Sequence, residues 1–172
     1  VVLLPPWDCL PYDRVPPSRQ CMGRRMDALR VWTETSVRPR LLITSLDAML
    51  PRIPPLDVLE GARHELPVGK VFDRAAFEMF VRSTGYALEG VADEPGELAI
   101  RDEVIDIFPA GGTVPMRIVL SDNDHVLELR SYDAGTQRTD KILESIVFGP
   151  ASEAILTEVG VDKDRPSDRM EQ

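Results

Sequence analysis

The sequence predicts an α/β (α+β) protein built in two styles: an incomplete layered α/β segment, then a mostly antiparallel sheet with one helix packed on it. Three observations lead there. Prolines punctuate the first 60 residues and leave room only for a short strand, a helix and a second short strand. From about residue 61 the chain becomes a series of short apolar runs separated by Gly-, Pro- and Asp-rich turns. Among these runs stands one amphipathic segment, residues 74–83, with apolar positions at helical spacing.

In the first part, Val1 to Leu4 fits a short buried strand, ended by Pro5 and Pro6. Pro11, Pro16 and Pro17 forbid continuous helix, so residues 7–17 read as a loop. Ser18 offers a hydroxyl N-cap to a helix running to about Trp32, with Met22, Met26 and Leu29 on one face. Arg40 to Thr44 (RLLIT) is a continuous apolar run of the kind parallel strands use, and Ser45 starts a short helix ending near Pro51. Two strands cannot bury both faces of a sheet, so this part is expected to be incomplete by itself.

In the second part, Ala62 to Val68 reads as a strand and Val68-Gly69-Lys70 as a turn. Asp73 caps a helix through Ser83 that Gly85 ends. Its apolar stripe is Ala76, Phe77, Phe80 and Val81, and its wet face carries Arg74, Glu78 and Arg82. Strands are expected at Tyr86–Ala92, Glu97–Arg101, Val104–Phe108, Pro115–Leu120 and Val126–Tyr132. Turns at Glu94-Pro95-Gly96, Ala110-Gly111-Gly112 and Ser121 to Asp124 separate them.

Composition narrows the function classes. A formal net charge of -9 weighs against an extended nucleic-acid surface, because phosphate binding needs clustered Lys and Arg. The basic spots, Arg24 with Arg25 and Arg38 with Arg40, are small. No run of about 18 apolar residues is present for a membrane span. VVLLPP has no basic leader, and the chain opens on Val rather than Met, as expected of a piece of something longer. Cys9 and Cys21 are too few for a disulfide framework or a zinc site and read as reduced thiols of a cytoplasmic protein.

Catalytic motifs are wanting. A phosphate loop needs Gly, four residues, then Gly-Lys-Ser/Thr, so that backbone amides wrap the phosphates. Here Gly69-Lys70 is followed by Val71 and preceded by His64 where the first Gly belongs. There is no Gly-x-Ser-x-Gly elbow, and His64 and His125 have no zinc spacing. Asp122, Asn123 and Asp124 lack the Gly and distal Glu of a calcium loop and read as a hairpin turn. Glu97, Asp102, Glu103 and Asp106 alternate between strand faces and read as a solvated sheet edge rather than an acid/base pocket. No enzymatic activity and no cofactor are expected of these residues.

One stretch says more. EPGELAIRDEVIDIFPAGG (Glu94 to Gly112), followed by PMRIVL, resembles the strand pair shared by the excision-repair protein UvrB and transcription-repair coupling factors. That pattern is roughly Gly-Glu-Phe-Ala-Val-Arg-Gly-x-Leu-Leu-Asp-Leu-Phe-Pro, then a Pro-x-Arg strand. WDCLPYD, RLLITSLDAMLPRIPP, LPVGKVFDRAAFEMFVRSTGY, DAGTQRT and LESIVFGPASE follow in family order, so the likeness covers about residues 1–155. The Leu-Pro-Tyr-Asp segment favours the coupling factor over UvrB itself.

The resemblance implies a division of the chain. Residues 1–60 would be part of a degenerate helicase-like domain, residues 61–143 an inserted sheet domain, and 144–160 the return to the first domain. Residues 161–172 are polar and expected to be a disordered tail. It also implies a function: docking of UvrA, the damage-recognition ATPase, with other domains of a longer parent as further partners. Arg101 and Arg117 fall on the family's two UvrA-contacting arginines. Two guanidiniums on neighbouring strands could each hold a carboxylate, unless they merely pair with local acids such as Glu97 or Asp102.

Departures from the pattern fall on the same site. Leu120 and Ser121 stand where the family has Phe-Phe, which removes an aromatic anchor while keeping those positions in the implied contact surface. Asp102 replaces the Gly after the first Arg, and the turn from Ser121 to Val126 is one residue longer. A relative that kept the fold but lost or changed its partner is therefore the alternative reading. A DNA-contacting module is opposed by the acidic balance.

Overall fold

The computed structural model describes residues 1–10 and 13–155. The expected tail at 161–172, and the end of the expected return segment, lie outside the described residues.

Strand β1 (Val2–Leu4) pairs in parallel with β2 (Leu42–Thr44), Val2 opposite Leu42 and Leu4 opposite Thr44. Helix α1 (Arg19–Thr33) connects them. Ser18 caps it, its Oγ accepting from the Cys21 amide at 3.1 Å, which satisfies one of the orphan donors of the first turn. Ser45 caps the short α2 (Leu46–Met49) in the same way. Helix α3 (Leu56–Gly61) was not expected. Pro55 sits at the N-cap, where a missing amide hydrogen costs the helix nothing.

Val2, Leu4, Met26, Ala28, Leu29, Ala48 and Leu59 form a small buried cluster between these elements. Burying seven apolar side chains orders the segment, yet Leu3 is 64% exposed and Ile43 49% exposed on the other face of the strand pair. Among the described residues nothing covers that face of the two strands.

The second part has one more layer than expected. Strand β3 (His64–Pro67) pairs antiparallel with β10 (Ser145–Phe148), Leu66 opposite Ile146. Helix α4 (Arg74–Thr84) is capped by Asp73, whose carboxylate accepts from the Ala76 amide, and ends at Gly85 with φ 84°. That left-handed conformation is one a side chain resists, so Gly stops the helix cleanly. Phe77, Phe80 and Val81 are buried, and Ala76 is half-buried.

A six-stranded sheet follows in simple order. Its strands are β4 (Ala87–Leu88), β5 (Glu97–Arg101), β6 (Val104–Ile107), β7 (Met116–Leu120), β8 (Val126–Tyr132) and β9 (Thr139–Leu143). All neighbours are antiparallel except β4 with β5. The expected strand over Tyr86–Ala92 shrinks to β4, because residues 89–96 leave the sheet to form a loop. Strands β9 and β10 were not expected from residue pattern; β9 is an exposed edge, so it lacks apolar alternation. One face of the sheet packs with α4, β3 and β10 into the main core, which includes Leu98, Ile105, Ile107, Ile118, Leu120, Val126 and Leu129.

Helix α1 is fastened to this second part. Gly23 lies against the backbone of Ala110 and Gly111, and Arg25 pairs with Glu153. Among the described residues, no helix is long and apolar enough to cross a membrane.

Candidate docking face

Register assigns the two faces of the sheet. Asp106 lies directly opposite Ala99 on one side and Arg117 on the other, and Arg117 lies opposite Arg130. Side chains alternate along a strand, so Arg101, Val104, Val119 and Glu128 share that face. The opposite face carries Leu98, Ile105, Ile107, Ile118 and Leu129 into the core. Apolar residues at every second position thus turn the charged row outward.

Asp106 is only 1% exposed although it belongs to this outer row. Arg117 grips it side-on, with Nε and Nη2 donating to the two carboxylate oxygens at 2.7 and 2.9 Å. The Arg117 Cζ also stands 5.0 Å from the centre of the Tyr132 ring. The bond to Asp106, and then its charge, hold the Arg117 guanidinium above its ordinary pKa against the opposing effect of burial. Burial, followed by the Asp106 charge, pushes the Tyr132 phenol up. That hydroxyl donates to the Ala92 carbonyl at 2.6 Å and draws the 89–96 loop across the outer face.

Arg101 ends β5 and is exposed. Its Nη2 donates to the Gly90 carbonyl at 2.8 Å, and it makes no ion pair with a carboxylate among the described residues. With Asp102, Glu103, Val104 and Arg117 it lines a shallow depression of about 470 Å³. The two arginines therefore meet at one depression, but one is free to reach outward and the other is held.

Several details differ from expectation. Arg101 and Arg117 are not on neighbouring strands; β6 lies between them. The acid that pairs with Arg117 is Asp106, not Glu97 or Asp102. Glu97 instead accepts from the amides of Asp93 and Glu94 at 3.2 and 2.9 Å, closing the loop before β5. Asp106 is no solvated edge residue; an interior strand and its ion pair bury it. The Leu120 side chain is 1% exposed and points into the core, because it continues the Ile118 side of β7. Ser121 is half-buried and on the outer side, its Oγ accepting from the His125 amide at 3.0 Å.

Two residues of this face were missed by the sequence reading. Asp106 carried a signal, an acid inside the apolar run Val-Ile-Asp-Ile one strand, eleven residues, before a matching Arg. Leu127 carried none that alternation could use. The β7–β8 register shifts so that Val119 faces Glu128 while Leu120 faces Val126. Leu127 is the extra residue of that bulge and is turned outward, 59% exposed.

Asp122 to Asp124 form a hairpin turn, with Asp124 at φ 55° and its carboxylate accepting from Arg74 Nε at 2.6 Å. His64 packs edge-on to Phe80 with centroids 4.4 Å apart, and His125 is exposed. Cys9 and Cys21 are free thiols. Among the described residues no group of three or more His, Cys, Asp or Glu side chains could hold a metal ion.

Comparison with known proteins agrees with this architecture. The family described as "UvrB interaction domain" matches residues 65–153, more than half of the chain. The chain is 30% identical over 153 residues to the transcription-repair-coupling factor of Escherichia coli strain K12, covering 89% of this chain and 13% of that protein. It is 28% identical over 165 residues to the coupling factor of Haemophilus influenzae, covering 94% of this chain and 14% of that one. Against the coupling factor of Staphylococcus epidermidis the identity is 31% over 141 residues, covering 82% and 12%. The chain thus spans about an eighth of the length of these relatives. With a match that takes in β3, α4 and the whole six-stranded sheet, the chain belongs to the UvrB interaction domain family.

Proposed function

We propose that this chain is a protein-docking module of transcription-coupled excision repair, and that its outer sheet face recruits UvrA. The observation that carries the reading is the depression where Arg101 and Arg117 meet. An exposed guanidinium without a carboxylate partner among the described residues stands there beside a second one already held in place. Arginine is a favoured interface anchor because its planar fork binds carboxylates bidentately and keeps its charge at any working pH. Ser121 and Leu127 border the same face and add polar and apolar contact; Leu120 supports it from the core side.

In this reading residues 61–143 form the docking domain, with 1–60 and 144–160 belonging to a helicase-like domain of a longer parent. The module works by binding and not by catalysis, in the cytoplasm, without a cofactor. Any translocase or polymerase-handling activity belongs to other parts of such a parent.

The test is calorimetric titration with UvrA of the same organism. Binding at micromolar concentration or tighter, weakened at least tenfold in an Arg101→Ala, Arg117→Ala variant, is the expected result. A folded chain that binds UvrA equally well with both arginines removed would sink the site. Absence of binding by the folded parent would favour the second reading, a relative that kept the fold and changed its partner. Asp102 motivates that reading, since it sets an exposed carboxylate on the rim of the depression beside Arg101.

A further inference from the structure

We propose that Asp106 is a positioning residue for docking: with the Tyr132 ring it fixes the Arg117 guanidinium so that its remaining N–H edge faces an acceptor carboxylate on the partner. This deepens the docking reading above and rests on it.

The geometry is specific. A guanidinium has five N–H donors in a rigid plane. The side-on grip uses Nε and one hydrogen of Nη2, at 2.7 and 2.9 Å from Asp106. Both hydrogens of Nη1 and the second on Nη2 have no acceptor among the described residues, and Arg117 lines the depression shared with Arg101. The unused edge is itself a two-nitrogen fork, of the shape that takes a second carboxylate end-on.

Three restraints hold that edge still. The carboxylate of Asp106 is itself buried on β6, so it cannot drift with the arginine. The Tyr132 ring covers the guanidinium at 5.0 Å, and its hydroxyl is tied to Ala92. Register adds a third, since Asp106 and Arg117 are directly opposed across β6 and β7. An arginine on an open surface would lose much rotamer freedom on binding; here that loss is already taken in the free protein.

A purely fold-holding role would be a weak use of the pair. Replacing a buried ion pair by apolar residues of similar volume is often neutral or stabilising. The grip also neutralises Arg117, so its contribution is direction, while Arg101, with no carboxylate partner among the described residues, supplies the attractive charge.

The experiment is a double-mutant cycle on UvrA affinity with the wild type, Asp106→Asn, Arg117→Ala and the double variant. The expected result is at least fivefold weaker binding for Asp106→Asn alone, and no further loss when it is added to Arg117→Ala. Equal losses in both backgrounds would mean that Asp106 acts through the fold, and the proposal falls. It falls too if Arg117→Ala weakens binding while Asp106→Asn leaves it unchanged. If Arg117→Ala itself has no effect, the docking role of Arg117 fails first and takes this proposal with it. Arg117→Lys covers the case in which Asp106→Asn does not fold. It keeps the charge but cannot grip side-on, so it should bind as weakly as Arg117→Ala; wild-type affinity would overturn the positioning role.

Discussion

Arg25 and Glu153 are 128 positions apart in sequence and meet in the interior, with Arg25 Nε 2.5 Å from the Glu153 carboxylate. The Arg25 side chain is 0% exposed, and its Nη1 also donates to the carbonyls of Pro5 and Ala48. Trp7 Nε1 donates to the same Glu153 carboxylate at 2.9 Å. One cation thus joins the end of β1, helix α1, helix α2 and the segment after β10. Removing one partner leaves the other charged, buried and unpaired, which costs about 3–5 kcal/mol. Arg25→Ala and Glu153→Ala should each lower the urea midpoint by a large margin. A loss under about 1 kcal/mol in urea denaturation would show that water reaches the site and that the latch is weak.

Gly23 should behave against helix propensity. In an exposed helix interior, Gly→Ala stabilises by about 1 kcal/mol. At Gly23 an added Cβ would land on the backbone of Ala110 and Gly111, which cannot swing aside as a side chain can. Overpacking of this kind costs about 1–3 kcal/mol, so the net sign is unfavourable. Thermal denaturation of Gly23→Ala should give a lower midpoint than wild type. A raised midpoint would mean that α1 is free to move off the 110–111 turn.

These two contacts mark what the sequence left unreadable. Ser18, Asp73 and Gly85 announce helix ends because capping is local: the side chain or the missing side chain acts on its own next turn. The RLLIT run and the Glu97 to Phe108 strands were legible for a similar reason, since burial repeats at a fixed interval. Arg25 read as half of a surface basic spot, because nothing near it in sequence hints at Glu153. Asp106 read as solvated, because its burial depends on Arg117 arriving on the next hairpin arm. Leu127 was hidden by the bulge, which breaks the alternation from which faces are deduced. The resemblance supplied the order of elements but not these pairings, which depend on long-range register.

His64 gives the fold a pH dependence. Its ring is half-buried against Phe80 and stacked on Phe148 at 5.6 Å, and burial, then the Lys70 charge, depresses its pKa from 6.5. A depressed folded-state value means that the unfolded chain binds a proton first as pH falls below 6.5. Stability should therefore be constant above that point and decline below it, levelling once the folded-state pKa is passed. Solvent reaches part of the ring, so the fall in midpoint between pH 7.5 and 5.5 should be small, on the order of 1–3 °C. His64→Leu should flatten the curve across this interval. A variant that keeps the full wild-type slope would assign it to other groups.

Asp102 and Arg101 are adjacent, and the pair allows the strain of the turn to be separated from its charge. Asp102 sits at φ 27°, outside the comfortable range for a residue with a Cβ. Asp102→Gly relieves that strain but frees the unfolded backbone, so the net gain in stability should be at most about 1 kcal/mol. The charge effect has a different signature. On the docking proposal, in which Arg101 attracts an acidic partner, an exposed carboxylate beside it lowers that attraction, and rim charges act mainly on the association rate. Asp102→Gly should thus speed UvrA association severalfold at low salt, with the advantage shrinking as salt rises. In an Arg101→Ala background the acceleration should be much smaller, because less attraction is left to unmask. Stopped-flow association with all four proteins decides it: a stabilised Asp102→Gly variant with an unchanged rate would mean that the partner does not read the field at this corner.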